Sequence, residues 1–154
     1  MHAPNNYDCP FCKIVSNQFD GIATNETDLL FRTEFLTAFI SSHQWPNNPG
    51  HAIIIPNEHH ENLYSLPTEF VIPIHAASVK IALAFKNAFA CDGVSTRQHN
   101  EPAGGQDVWH YHQHVFPRYQ ADNLYGSKRL RVDDQARASQ ASSVRQALGE
   151  VEGI

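Results

Sequence analysis

Three histidines stand on alternate positions in "HYHQH": His110, His112 and His114. Imidazole can ligate a metal, carry a proton or attack phosphorus near neutral pH, so the spacing bears on which of these it does. The chain has 10 histidines in 154 residues, and only here do three keep a strict period of two. In an extended strand that period aims all three at one face, with Val108 and Phe116, while Asp107, Trp109, Tyr111, Gln113 and Val115 take the other. At ~3.3 Å per residue, His110 and His114 lie about 13 Å apart along the backbone, too far for the row to enclose one small ion. The three are therefore expected to serve different partners.

Just upstream, "NEPAGGQ" offers two carboxamides, Asn100 and Gln106, and two glycines, Gly104 and Gly105, where backbone can approach a ligand closely. Such donors suit a phosphoryl group, whose oxygens need them as charge shifts in the transition state. A neutral imidazole attacks phosphorus competently when an acceptor holds its other nitrogen and fixes the tautomer. Near the start, Cys9 and Cys12 form a single Cys-x-x-Cys pair, which reads as metal or redox chemistry. No Gly-rich phosphate loop of the Walker type is present, so a kinase or motor reading has little support.

The elements that must hold these groups follow from periodicity and punctuation. "DLLFRTEFLTAFIS", residues 28–41, splits at Arg32 to Glu34 into two β-leaning runs, a hairpin. "SHQWPNNPG" is a loop, and "HAIIIP", residues 51–56, is a strand that Pro56 closes. From Pro67 to about Cys91 apolar residues recur at helical spacing, with Pro73 in the first turns, where proline is tolerated. "GVSTRQHN" is the next strand, and residues 107–116 form another that Pro117 ends. The tail from Val132 to Leu148 is a polar, Ala-rich helix with few apolar anchors, packed on a partner or loosely held. Hairpin-paired strands around one long helix predict an α+β fold with a mainly antiparallel sheet.

Hydrophobic residues make up 42% and charged residues 18%, the balance of one globular domain. The net charge of -5 gives no bulk basic field for a nucleic acid polymer or an anionic membrane, which leaves a small ligand. "MHAPNNYDCPFC" lacks the pattern of a signal peptide, and no run approaches the ~18 apolar residues of a spanning helix. Three cysteines, an odd number, argue against a disulfide framework. A cytoplasmic protein is expected.

The run "NEPAGGQDVWHYHQHVFPRY", residues 100–119, follows "CPFCKIVS", "TAFIS" and "PGHAIIIPNEHHENLYSL" in order. Together they resemble the histidine triad (HIT) family of nucleotide hydrolases and transferases over residues 7–122. The resemblance implies a HIT-like fold with a five-stranded sheet, one long helix and a C-terminal helix, in a single domain 1–154 that forms a homodimer. It implies that His112 attacks the α-phosphate of an adenosine or other purine nucleotide, forming a nucleotidyl-histidine that water later hydrolyses. His114 then contacts phosphate and His51 stands behind the triad. Asn100, Gly105 and Gln106 match positions that hold phosphate oxygens, and Phe11, Ile14 and Phe39 fall where the family builds its base pocket.

Family members with an early Cys-x-x-Cys also resemble galactose-1-phosphate uridylyltransferases in binding structural zinc. By that likeness the ligands are Cys9, Cys12, His59 of "PNEH" and His110, with His60 adjacent as an alternative. Two thiolates and two imidazoles make a sound closed tetrahedral zinc set.

Three positions depart from the family pattern. Gln113 replaces an apolar residue on the face away from the chemistry. Asp107 stands where phosphoramidase-type members place a hydroxyl, and it would act as an acid only with a raised pKa. Ser41 occupies the place of an acidic ribose-binding residue. The first expectation is a hydrolase or nucleotidyl transferase acting on dinucleoside polyphosphates or nucleoside phosphoramidates. A non-enzymatic nucleotide- or partner-binding protein and a zinc-dependent hydrolase are the alternatives.

Overall fold

The computed structural model describes residues 2–151. A five-stranded antiparallel sheet has the order β1-β2-β4-β6-β5, built from β1 (Leu29–Arg32), β2 (Leu36–Ile40), β4 (Ala52–Pro56), β5 (Gly93–Gln98) and β6 (Gln113–Arg118). A separate pair joins β3 (His43–Gln44) to β7 (Leu130–Arg131). The helices are α1 (Pro10–Val15), α2 (Val71–Phe89) and α3 (Asp134–Val151).

The central strands β2 and β4 are buried at every residue, because both faces of the sheet are covered. Leu36, Ala38, Ile40, Ala52, Ile54 and Val115 face α2 and α3, where Ile74, Ala77, Ile81, Ala84 and Phe85 repeat at helical spacing. Each fully buried Val, Leu, Ile or Phe side chain among these contributes about 2 kcal/mol. Phe39, Ile53 and Ile55 face the other way, onto Phe11 and Ile14 of α1. The hairpin and the long helix thus lie where periodicity put them, with Pro73 in the first turn of α2. Among the described residues Thr68–Phe89 is the one helix that passes for a membrane span, by length and composition only. Its apolar stripe is spent on the sheet instead.

Two expectations need correction. The histidine strand begins at Gln113, not Asp107, and it runs through Pro117 to Arg118. Upstream, the backbone leaves the ladder: the His110 N–H bonds Val108 O at 2.8 Å and the Tyr111 N–H bonds His60 O at 2.6 Å. Pro117 is tolerated because β4 pairing stops at Val115, so no β4 carbonyl awaits the N–H that proline lacks, and Asn48 Nδ2 donates to the Pro117 carbonyl at 2.9 Å. The C-terminal helix, in turn, is firmly docked on its own chain. Ala141, Val144 and Ala147 are buried in the core against α2, and Arg137 is wholly buried on Asp28.

Candidate active site

The sheet register delivers the site. Cross-strand partners form a row on the α1 side, Leu29, Phe39, Ile53, His114 and Arg97, one from each strand. His114 therefore stands beside the apolar pair Phe39 and Ile53. His51 enters just before β4, after Gly50, whose φ of +98° and contact with Phe89 leave no room for a Cβ.

Backbone carbonyls, which only accept, set the tautomers. The His112 ring faces His110 O through Nδ1 at 2.8 Å, so Nδ1 carries the proton and Nε2 keeps its lone pair. Burial lowers the His112 pKa, so this neutral form is the resting one at pH 7. His51 Nδ1 donates to His43 O at 3.1 Å, which leaves its Nε2 to accept from His114 Nδ1 at 2.9 Å. His51 is also stacked on Phe116, 4.4 Å between centroids. Burial pushes His51 down to about 3, and burial, then the neighbouring His51 ring, holds His114 well below the ordinary histidine value. The relay is neutral, with the second nitrogen of His114 unprotonated.

A cavity of about 240 Å³ opens in front of these rings. Phe11, Ile14, Ile22, Phe39, Ile53 and Val108 line one part, and the polar lining includes Ser41, His43, Asp107, His112, His114 and Arg129. Seven expected site residues thus meet there: Phe11, Ile14, Phe39, Ser41, Asp107, His112 and His114. A larger cavity of about 610 Å³ between β1, α2 and α3 holds neither histidine nor carboxylate, so size does not mark the chemistry.

Asp107 reaches Arg129 Nη2 with one oxygen at 2.5 Å, and its other oxygen lies 3.8 Å from His112 Nε2. Burial works to raise its pKa, but the Arg129 hydrogen bond and charge outweigh it, and the carboxyl is held below its ordinary value. Asp107 is a carboxylate at neutral pH, not an acid.

Asn100, Gly105 and Gln106 do not line this cavity. The Asn100 carboxamide exchanges hydrogen bonds with Gln98 and accepts from Leu63 N. Gln106 donates to Glu61 O and Val108 O and accepts from Glu101 N. The Gly105 N–H bonds Pro102 O inside a turn so tight that a Cβ on Gly104 would sit 2.0 Å from Asn100 O.

On the other side of His110 lies a second constellation. Donor atoms of Cys9, Cys12, His59 and His110 all fall within 4.8 Å of one another. His110 donates Nε2–H to Pro56 O at 3.0 Å, which turns the lone pair of Nδ1 toward Cys9 Sγ at 3.5 Å and Cys12 Sγ at 3.6 Å. His59 Nδ1 is 3.2 Å from Cys12 Sγ. Two sulfurs and two imidazole nitrogens this close match a four-coordinate metal with Zn–S near ~2.3 Å and Zn–N near ~2.0 Å. The set fits a metal, and its donors belong to the residues expected from the sequence. Burial, then the neighbouring Cys9, pushes the Cys12 thiol up to about 12, the opposite of an activated redox thiol.

Arg129 and His43 were missed by sequence reasoning. No spacing announces them: the β3–β7 pair, His43 with Arg131 and Gln44 with Leu130, brings them to the cavity.

Comparison with known proteins gives concordant matches. A HIT domain family model matches residues 23–121. "Protein hit" of Bacillus subtilis is 32% identical over 127 residues, 82% of this chain and 81% of that one. Adenosine 5'-monophosphoramidase HNT1 of Saccharomyces cerevisiae is 31% identical over 120 residues, 77% of this chain and 68% of that one. A zinc-bound histidine triad family protein from Mycobacterium smegmatis superposes with a TM-score of 0.78 at 27% identity, covering 94% of this chain and 96% of that one.

Proposed function

The chain belongs to the HIT domain family, and from that membership we propose that it hydrolyses or transfers nucleotides at the α-phosphate through a nucleotidyl-histidine. The observation that carries the reading is His112, with Nδ1–H fixed on His110 O and an unprotonated Nε2 at the cavity. That lone pair attacks phosphorus, and the bond to the leaving group breaks with its electron pair. Water then attacks the same phosphorus, the P–N bond returns its pair to Nε2, and a proton is released to solvent. His114 contacts the phosphate and His51 orients it. Phe11, Ile14 and Phe39 take the base, and Ser41 lies toward the ribose. Asn100, Gly105 and Gln106 serve by shaping the loop, and they reach phosphate only if its turn rearranges.

Cys9, Cys12, His59 and His110 would hold zinc, a structural tie that supplies no step of the reaction. We further read residues 1–154 as a single domain. A homodimer is supported by β5, an edge strand, and by the exposed Val71, Ile72, Val79 and Leu83 of α2. Free thiols at Cys9, Cys12 and Cys91 suit a cytoplasmic setting.

One observation favours a nucleotide-binding protein without turnover: the loop carboxamides are engaged within the fold. AMP release from diadenosine polyphosphates and an adenosine phosphoramidate, compared in wild type and His112→Asn, decides between the two. Turnover in wild type that His112→Asn abolishes supports the enzyme. AMP binding with no product from any substrate supports the binding protein.

A further inference from the structure

Resting on the reading of His112 as nucleophile, we propose that Arg129 binds the departing end of the substrate. The site then selects nucleoside phosphates whose leaving group is an oxyanion, a phosphate chain or a sulfate, over those whose leaving group is an amine.

Arg129 and Asp107 are the two full charges in the cavity lining, and each is close to half exposed, so a ligand can reach both. Asp107 meets Arg129 with one oxygen and lies 3.8 Å from His112 Nε2 with the other, so a single carboxylate separates the guanidinium from the attacking nitrogen. Among the described residues only Nη2 of Arg129 is engaged, leaving Nε and Nη1 for a ligand. Pairing of the adjacent Leu130 and Arg131 with β3 fixes where the side chain starts. Because Asn100, Gly105 and Gln106 spend their donors within the fold, Arg129 is the cation left to meet substrate oxygens.

The chemistry separates two leaving groups. When His112 Nε2 bonds to phosphorus and a P–O bond breaks, the electron pair departs on oxygen, and a guanidinium stabilises that charge without any proton transfer. When a P–N bond breaks, the departing nitrogen needs a proton. Asp107, where a hydroxyl would serve, is ionised and has none to give. The carboxylate neutralises Arg129 until an incoming oxyanion takes the open edge of the guanidinium.

The test compares wild type, Arg129→Gln and Asp107→Ser on diadenosine tetraphosphate, adenosine phosphosulfate and an adenosine phosphoramidate. Arg129→Gln should lower kcat/KM about 100-fold for the two oxyanion-leaving substrates and under about 3-fold for the phosphoramidate. Asp107→Ser should raise the phosphoramidate rate relative to the others. A loss confined to the tetraphosphate or to the phosphosulfate identifies which oxyanion Arg129 serves. Equal loss on all three, or no loss, overturns the proposal. Calorimetry with ATP and AMP on His112→Asn, with and without Arg129→Gln, reads the same contact without turnover. The ATP-to-AMP affinity ratio should fall about 10-fold on loss of Arg129, and an unchanged ratio overturns the proposal. Wild type that turns over none of the substrates counts against the nucleophile reading, while this ratio still decides Arg129.

Discussion

The carbonyl oxygen of His110 accepts the Nδ1–H of His112 at 2.8 Å, while the His110 ring presents its own Nδ1 to the Cys9–Cys12 pair. One residue thus joins the metal-ligand cluster to the proposed nucleophile. Whatever fixes the His110 ring also fixes the carbonyl that sets the His112 tautomer.

Metal loss should therefore be felt at both places. Protein purified without chelator is expected to hold about one zinc per chain, and Cys12→Ser should lower Tm by about 10 °C or more and cut turnover with it. Elemental analysis with thermal melts checks this. Metal-free protein that melts at the same temperature as the untreated preparation would contradict it.

The C-terminal helix depends on one buried charge. Arg137 places Nε and Nη2 3.0 Å from Asp28 Oδ2, donates to Val132 O and Ala23 O, and sets Nη1 3.0 Å from Asp134 Oδ1. Arg137→Met leaves the buried Asp28 without its guanidinium partner and should cost about 3–5 kcal/mol in denaturant unfolding. A cost below about 1 kcal/mol would show that apolar packing alone docks the helix.

How much of this was legible in the sequence depends on the range of the cause. The β1–β2 hairpin and the extent of α2 are local in origin and readable from period alone, but the buried face of α2 is not: Val71, Val79 and Leu83 share its apolar spacing and are exposed, while Ile74, Ala77 and Ile81 pack on the sheet. The start of β6 is not, because Tyr111 and His110 are drawn off the ladder by His60 O and Pro56 O, about fifty residues away in sequence. Arg137 looks like a solvated cation on a polar helix until Asp28 is placed beside it. Arg129 reaches the cavity through a two-residue strand pair too short to leave a pattern. The Cys9, Cys12, His59 and His110 set was visible only through the family resemblance, since its members are far apart along the chain.

Nucleotide binding should take up a proton. Burial and the nearby histidines keep His114 neutral in the free protein, with no donor left on the nitrogen away from His51. A phosphate oxygen arriving there favours the protonated form, so the His114 pKa rises on binding and AMP affinity should increase as pH falls below that raised value. Calorimetry of AMP binding in buffers of different ionisation enthalpy measures the uptake. Identical heats in all buffers would contradict it.

The most direct test of the account is intact-protein mass spectrometry after rapid quenching, in alkaline denaturant, of the protein mixed with excess diadenosine polyphosphate. The account predicts an adduct of the mass of a bound AMP in wild type and none in His112→Asn. An adduct that persists in His112→Asn, or AMP formed by wild type with no adduct at any time, would contradict covalent transfer through His112.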